Sequence, residues 1–250
     1  MLLKDKVAIV TGGARDIGKA VSKKLACEGA KVVINYYDNE VQAKETLQEI
    51  RDAGGEALII QGDMTQQQDV DRVVQQALKA YGNEVHVLVN VAGGLVARKK
   101  LEEMDEDFFD KVVRLNLNSV FLTMRAVVPH MSSGASIVNF ASQAGRDGGG
   151  PGASAYATSK GAVMTFTRSM AKELGPQNIR VNALCPGMIS TTFHDVFTQD
   201  MVREKVANGT PLRREGTAQE VANLVACLAS CETSFVTGTN IDINGGLAFS

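Results

Sequence analysis

A tyrosine and a lysine four residues apart form the most informative pair of side chains in this sequence. Tyr156 and Lys160 stand in the run Ser-Ala-Tyr-Ala-Thr-Ser-Lys, and a helix would place both on one face. A phenol alone titrates near pH ~10, and a neighbouring ammonium group lowers its pKa toward neutrality. The pair therefore predicts a proton donor and acceptor suited to carbonyl–alcohol chemistry. The motif by itself is weak evidence, because such pairs also occur on solvent-facing helices.

Composition and charge argue against several classes of protein. Hydrophobic residues make up 44% of the 250 residues and charged residues 22%, as in an ordinary globular protein. The net charge of -2 gives no reason to expect a nucleic-acid partner. No apolar run reaches the ~18 residues that span a bilayer, and the first residues lack the pattern of a signal peptide. We therefore expect a cytoplasmic protein that binds neither membrane nor nucleic acid.

The cysteines and histidines show no spacing typical of a metal site. A disulfide is not expected in a reducing compartment. The sequence therefore predicts no bound metal and four free, buried thiols, at Cys27, Cys185, Cys227 and Cys231.

Short runs rich in Val and Ile alternate with longer amphipathic segments, which predicts strands and helices in turn. The predicted strands are Val7–Thr11, Lys31–Tyr36, Ala57–Gln61, Val85–Asn90, Ser136–Phe140, Arg180–Cys185 and Asn240–Ile243. The predicted helices are Ile17–Glu28, Glu40–Ala53, Asp69–Tyr81, Glu106–His130, Tyr156–Leu174, Thr198–Ala207 and Ala218–Ala229. This alternation predicts an α/β fold with a doubly wound parallel sheet, whose ligands bind beyond the carboxyl ends of the strands.

A glycine-rich turn, Thr11–Gly18, separates the first predicted strand from the first predicted helix. Glycines allow the backbone to turn tightly and to approach a pyrophosphate, whose charge the helix N-terminus stabilises. In this strand–turn–helix context the run predicts dinucleotide binding.

The order of the motifs along the chain resembles that of the short-chain dehydrogenase/reductases. The motifs are Thr11-Gly12 with Gly18, Asn90-Val91-Ala92-Gly93, Asn116, Ser142, Tyr156 with Lys160, and Pro186-Gly187-Met188-Ile189-Ser190-Thr191. The resemblance covers essentially the whole chain. It implies a Rossmann-type single domain over residues 1–250, an NAD(H) or NADP(H) cofactor, and a small substrate lid around residues 190–213.

The resemblance also implies catalytic roles for four residues. Tyr156 would protonate the substrate oxygen, and Ser142 would hydrogen-bond that oxygen. Lys160 would lower the pKa of Tyr156 and hold the ribose hydroxyls of the cofactor. Asn116 would anchor water in a proton relay to Lys160.

The resemblance implies a cofactor site around the glycine-rich turn. Arg15 lies where NADP-preferring members meet the 2′-phosphate, and no carboxylate follows the second strand before Asp38. We therefore expect NADPH to be preferred over NADH, with use of both possible. The cofactor-binding residues implied are Gly12, Arg15, Ile17, Asn35, Tyr36, Asp63, Met64, Asn90, Ala92, Gly93, Tyr156, Lys160, Pro186, Gly187, Ile189 and Thr191.

Two positions depart from the family pattern. Asp16 stands where the pattern has glycine, and its carboxylate either repels the pyrophosphate, or caps or charges the start of the first helix. Val91 replaces a second Asn, and we expect little consequence because Asn90 is retained.

Cationic residues cluster at the three variable places that line the substrate pocket of this family. Because Arg matches carboxylate geometry, they predict a small anionic carbonyl substrate, with Arg146 and Gln143 as its contacts.

Residues 139–150 and Asp16 resemble a bacterial subgroup that reduces uronate-derived keto-aldehydes. A 3-oxoacyl-carrier-protein reductase, a sugar or polyol dehydrogenase, and a non-enzymatic redox sensor stay open. The other residues of the predicted pocket are Arg98, Lys99, Phe193, His194, Phe197 and Arg203. Relatives are commonly tetramers, so we expect a homotetramer.

Overall fold

A seven-stranded parallel sheet forms the centre of the molecule. The computed structural model describes residues 1–249, so residue 250 of the predicted domain lies outside the described range. The strand order is β3-β2-β1-β4-β5-β6-β9. This confirms the predicted Rossmann-type doubly wound fold. The strands are β1 (Val7–Thr11), β2 (Lys31–Tyr36), β3 (Glu56–Gln61), β4 (Val87–Asn90), β5 (Ser136–Phe140), β6 (Arg180–Pro186) and β9 (Asn240–Ile243).

Helices cover both faces of the sheet. The helices of the first half of the chain are α1 (Asp16–Cys27), α2 (Glu40–Asp52) and α3 (Gln67–Tyr81). Those of the second half are α4 (Glu106–Val113), α5 (Ser119–Val127), α6 (Ala144–Asp147), α7 (Ser154–Leu174), α8 (Thr192–Phe197), α9 (Asp200–Gly209) and α10 (Ala218–Ala229).

Two apolar cores lie on opposite faces of the sheet, which explains why its strands are nearly continuous in apolar residues. One core packs Val21 of α1 and Val225 of α10 against Val10 of β1. The other packs Val73 of α3 and Val163 of α7 against Ile9 of β1. Successive residues of β1 therefore point into different cores, as the alternation of side chains along a strand requires.

The strand order reverses between β1 and β4, where Thr11 lies beside Asn90. The connections after β1 and after β4 leave in opposite directions at this point, and they open a crevice at the carboxyl edge of the sheet. The glycine-rich turn follows β1 and Val91-Ala92-Gly93 follows β4, so the fold brings both motifs to one crevice.

The predicted helix Glu106–His130 is interrupted. Residues Arg114–Asn118 form a π-helical turn between α4 and α5, and Val128–His130 form a 3-10 turn containing Pro129. A π turn inserts one extra residue, and such turns occur at functional sites. The helical period of the sequence cannot reveal it, because the apolar pattern continues through the turn.

The 190–213 segment, for which the sequence predicts one helix, holds two. Helices α8 and α9 lie between β7 (Ile189–Ser190) and β8 (Gly216–Thr217), which pair as a two-stranded parallel ladder. Two residues per strand are too few for sequence patterning to detect.

The prediction of four buried thiols is confirmed in full only for Cys185. Cys27 and Cys231 are exposed, Cys227 is half-buried and Cys185 is buried. Cys27 ends α1, and Cys231 opens a 3-10 turn after α10, so both lie where the chain leaves the core. Within residues 1–249 no helix has the length and apolarity to cross a membrane, and no cluster of His, Cys, Asp or Glu suits a metal ion.

Candidate active site

The glycine-rich turn requires glycine at two positions for steric reasons. Gly12 has φ +61°, and a Cβ there would lie 3.1 Å from the backbone of Ala92. A Cβ on Gly18 would lie 2.0 Å from the carbonyl oxygen of Gly12. Asn35 of β2 fixes the turn, because its Oδ1 accepts a hydrogen bond from the Gly12 N–H at 3.2 Å. The first turn of α1 thus packs directly on the backbone that would approach a phosphate.

A cleft of about 1290 Å³ runs from this turn to the start of α7. Its size, its open glycine backbone and the helix N-terminus at one end fit a dinucleotide. The cleft is lined by these predicted cofactor residues: Gly12, Arg15, Ile17, Asn35, Tyr36, Asp63, Met64, Ala92, Gly93, Tyr156, Lys160, Pro186, Gly187, Ile189 and Thr191.

Asn90 is the exception, because its side chain does not line the cleft. Its Nδ2 donates to Asn139 Oδ1 at 2.9 Å, and its Oδ1 accepts from Thr123 Oγ1 at 2.7 Å. Asn139 in turn donates to Thr167 Oγ1 at 3.0 Å. The Asn90 side chain therefore belongs to a buried network that joins β4, β5, α5 and α7, and contact of Asn90 with the cofactor stays a prediction. Asn139 was missed by sequence reasoning, although an Asn inside an apolar strand was a usable signal.

Ser142, Tyr156 and Lys160 converge at the inner end of the cleft. Ser142 follows β5, and its Oγ accepts from the Ala144 N–H at 3.1 Å. Tyr156 lies in the first turn of α7, one helical turn before Lys160. The Lys160 Nζ donates to the Phe140 carbonyl oxygen at 2.7 Å and lies 5.7 Å from the centroid of the Tyr156 ring. The end of β5 and the start of α7 therefore position these side chains together.

The prediction that Lys160 lowers the pKa of Tyr156 toward neutrality is wrong here. Burial raises the pKa of the Tyr156 phenol above its ordinary value, and the neighbouring Ser142 hydroxyl acts in the opposite direction. Lys160 is itself only 4% exposed, and burial lowers its pKa to about 8. Desolvation is the main cause of both pKa shifts. At neutral pH the phenol keeps its proton and can act as a donor.

Asn116 lies in the π-helical turn, fully buried and behind the cleft rather than in its lining. Its Nδ2 donates to the carbonyl oxygens of Gly94 at 2.8 Å and Val112 at 2.9 Å, and its Oδ1 accepts from the Gly94 N–H at 3.0 Å. A Cβ on Gly93 would lie 2.7 Å from Asn116 Oδ1 and 3.2 Å from Lys160 Nζ. Asn116 and Lys160 therefore face the same glycine, while the water relay stays a prediction.

The two predicted substrate contacts have different positions. Gln143 lines the cleft, and its Nε2 donates to Asp147 Oδ2 at 3.1 Å. Arg146 does not line it: its Nε donates to Asp242 Oδ1 at 2.6 Å and its Nη2 to the Asn240 carbonyl oxygen at 2.5 Å. The prediction that Arg146 binds substrate is corrected to a structural role, in which it ties α6 to β9. The sequence could not show this, because the carboxylate partner lies 96 residues away.

Most of the other predicted pocket cations are also neutralised. Arg203 pairs with Glu215 at 2.7 Å and with Asp195 at 2.5 Å. Lys99 pairs with Asp105 at 3.6 Å. Burial lowers the pKa of His194, so the imidazole is neutral at pH 7.

Arg98 differs from these residues because it bonds to backbone carbonyls instead of a carboxylate. Its Nε donates to the Phe197 carbonyl oxygen at 3.2 Å and its Nη1 to that of Pro151 at 3.0 Å. These carbonyls are neutral, so no carboxylate within residues 1–249 compensates the charge of Arg98.

An aromatic cluster beside Tyr156 gives the substrate end of the cleft an apolar wall. The ring centroid of Phe193 lies 6.0 Å from that of Tyr156 and 5.2 Å from that of Phe197. Val96 faces the same cleft with φ +67°, an outlier for a β-branched residue. The Ala97 N–H bonds to the Leu95 carbonyl oxygen at 2.8 Å, which closes a γ-turn around Val96. No sequence pattern marks this strained turn.

Asp16 does not cap α1, so only the charge that the second interpretation placed at the start of this helix is found. The N-cap of α1 is Arg15, which makes no side-chain capping bond. The Asp16 carboxylate instead accepts hydrogen bonds from Thr192. Its charge still lies in the first turn of α1, where the helix dipole favours it.

Comparison with known proteins agrees with this geometry. A family model described as enoyl-(acyl carrier protein) reductase matches residues 12–248. A short chain dehydrogenase of Passalora fulva, claC, is 33% identical and aligns with 98% of this chain and 96% of its own length. The chain belongs to the short-chain dehydrogenase/reductase family.

Two further members of the short-chain dehydrogenase/reductase family are similar over nearly their whole length. The 3-oxoacyl-acyl-carrier-protein reductase FabG of Staphylococcus epidermidis is 35% identical over 97% of this chain and 99% of its own. A short chain dehydrogenase of Burkholderia cenocepacia, solved in complex with NADP, superimposes with a TM-score of 0.92 at 31% identity and covers 99% of each chain. Family membership supports an oxidoreductase that uses a nicotinamide cofactor.

Proposed function

We propose that this short-chain dehydrogenase/reductase is an NADPH-dependent carbonyl reductase. The observation that carries the proposal is the convergence of Ser142, Tyr156 and Lys160 at the inner end of a cleft that begins at the glycine-rich turn. A redox sensor would need the turn but not these three side chains.

Each of the three side chains has a distinct task. The bound nicotinamide would supply hydride to the carbonyl carbon. The Tyr156 phenol donates its proton to the carbonyl oxygen. Because Ser142 Oγ already accepts from the Ala144 N–H, its hydroxyl proton is free to donate to the same oxygen and to stabilise developing charge. Lys160 places a positive charge beneath the phenol, where it favours the phenolate left after proton transfer.

The protonation state of Tyr156 favours the reductive direction near neutral pH. A phenol with a raised pKa is a ready donor and a poor base. Alcohol oxidation needs the phenolate, so we expect it to require a more alkaline pH than reduction does.

Preference for NADPH over NADH rests on Arg15 and on the end of β2. Arg15 lines the cleft, and Tyr36 and Tyr37 precede the first carboxylate, Asp38. The solved relative from Burkholderia cenocepacia that contains NADP is consistent with this preference. Use of NADH as well remains part of the proposal.

The walls of the cleft favour a carbonyl compound with an apolar flank. Phe193 lies beside Tyr156 and Phe197 beside Phe193, and Val202 and Val206 of α9 line the same cleft. Most of the cations predicted to meet an anionic group are paired with carboxylates. A 3-oxoacyl thioester has a reducible ketone and an apolar chain, and the similarity to FabG makes it our first candidate.

The anionic sugar-acid carbonyl is the second candidate, and Arg98 is the observation that favours it. Arg98 lines the cleft, and among residues 1–249 its guanidinium donates to carbonyl oxygens only, so we propose that it binds a substrate carboxylate. A uronate-derived keto-aldehyde would then extend from Tyr156 toward Arg98.

A reduction assay with a small carbonyl panel tests both candidates. Loss of NADPH absorbance is followed with an acetoacetyl thioester, a uronate-derived keto-aldehyde and a neutral polyol ketone, and each is repeated with NADH. Tyr156→Phe should reduce kcat at least about 1000-fold and leave NADPH affinity largely intact. Tyr81→Phe, the same change outside the cleft, is the matched control. NADPH binding without turnover of any carbonyl would favour the redox sensor, and turnover by Tyr156→Phe at near-normal rate would refute the assigned role.

The small-molecule substrate, the homotetramer and the cytoplasmic location also remain proposals. The tetramer is tested by sedimentation or light scattering of the purified protein.

A further inference from the structure

Asp16 occupies a backbone conformation that the family pattern assigns to glycine. Its φ of +49° lies in the left-handed region, which non-glycine residues seldom adopt and which Asp tolerates better than most. The replacement of glycine adds a carboxylate to the turn that would hold the cofactor phosphates. The contacts of that carboxylate show what it does there.

The carboxylate reaches across to α8, 176 residues further along the chain. Its Oδ1 accepts from the Thr192 N–H at 3.0 Å, and its Oδ2 accepts from Thr192 Oγ1 at 2.5 Å. Thr192 is the first residue of α8, so its N–H has no partner within that helix. The N-cap residue, Thr191, makes no side-chain capping bond. Asp16 therefore caps α8 from a different element of the fold.

Neighbouring groups complete the attachment. Arg15 Nη1 lies 3.9 Å from Asp16 Oδ2 and 3.4 Å from Thr192 Oγ1, so a cation offsets the charge of the carboxylate. The opposite end of α8 is held by the bond from Arg98 Nε to the Phe197 carbonyl oxygen. Asp16 thus secures the end of α8 that lies next to the glycine-rich turn.

We propose that Asp16 is a positioning residue that holds α8 against the glycine-rich turn, and that this bridge opens when the dinucleotide enters or leaves. Both bridged elements line the cleft, so a bond between them fixes the distance between two of its walls. The identity of the ligand rests on the proposed function, whereas the bridge does not.

The bridge and simple charge repulsion make opposite predictions for cofactor release. If Asp16 only repelled the pyrophosphate, Asp16→Gly would slow the release of NADPH. If Asp16 holds the cleft closed, Asp16→Gly accelerates release. The sign of the change therefore separates the two explanations.

Hydrogen exchange of the protein alone tests the bridge without any cofactor. In Asp16→Gly the amide of Thr192 and those following it in α8 should exchange about tenfold faster, as expected for loss of a hydrogen bond to a charged group. Asp16→Asn keeps an acceptor for the N–H and should restore part of the protection. Equal exchange in wild type and Asp16→Gly would overturn the proposal.

Stopped-flow fluorescence of NADPH tests the role in exchange of the cofactor. Release should be about tenfold faster from Asp16→Gly, intermediate for Thr192→Val, which keeps the N–H, and near wild type for Thr192→Ser, which keeps both donors. Unchanged or slower release from Asp16→Gly would contradict the positioning role. If the wild type binds no dinucleotide, the proposed function fails, and the exchange experiment still decides whether the bridge exists.

Discussion

Lys160 should make the stability of this protein depend on pH in a way that a single substitution removes. The side chain is 4% exposed, and burial lowers its pKa from 10.5 to about 8. Below pH ~8 the folded and the unfolded chain both hold the proton, and the fold bears the full desolvation of the ammonium. Between about pH 8 and pH 10.5 only the unfolded chain holds it. Stability contributed at this position therefore rises with pH across that interval.

The magnitude follows from the two pKa values. Across the whole interval the contribution of Lys160 to the free energy of unfolding rises by about 3.4 kcal/mol. Raising the pH from 7 to 9.5 accounts for about 2 kcal/mol of this rise. Lys160→Met removes the proton but keeps an unbranched chain of similar length. The bond to the Phe140 carbonyl oxygen is lost at every pH, so it does not contribute to the pH-dependent difference.

Urea unfolding of wild type and Lys160→Met at pH 7.0 and pH 9.5 provides the measurement. Burial raises the pKa of Cys185 to about 11 and also that of Tyr156, and both groups make the protein less stable as pH rises. The variant shares these groups, so they largely cancel when the two proteins are compared. We expect the wild type to gain about 2 kcal/mol relative to the variant between the two pH values. An unchanged difference would show that Lys160 titrates normally and that the burial argument is wrong.

Two further substitutions test the geometry around the site. Gly93→Ala should lower kcat about 100-fold without unfolding the protein, because the added methyl group would displace Asn116 and Lys160; normal kcat would show that neither position is critical. Arg146→Met should lower the free energy of unfolding by about 3 kcal/mol, since it leaves the mostly buried Asp242 unpaired, while KM for the carbonyl stays unchanged. A large rise in KM with normal stability would instead restore the substrate role that the sequence suggested.

The sequence was sufficient to predict the strands of the sheet, because each strand is defined by a short run of neighbouring residues. Each predicted strand, such as Val7–Thr11, is a short apolar run bounded by turn residues, and parallel strands buried on both faces need no other information. The glycine-rich turn and the Tyr156–Lys160 pair were equally readable, since each is defined by spacing within one or two turns of chain. Together with the right-handed crossover these features placed both motifs at one edge of the sheet.

The tertiary structure decided which charges are free and which way the titratable groups shift. The sequence suggested Arg146 as a substrate contact, but its guanidinium donates to Asp242. It suggested Asp16 as a cap of α1, but the Asp16 carboxylate accepts from Thr192. Both partners are distant along the chain, so no local pattern could pair them. Burial likewise reversed the expected shift of the Tyr156 pKa, because desolvation depends on the depth of the whole fold around a side chain and not on the residue four positions away.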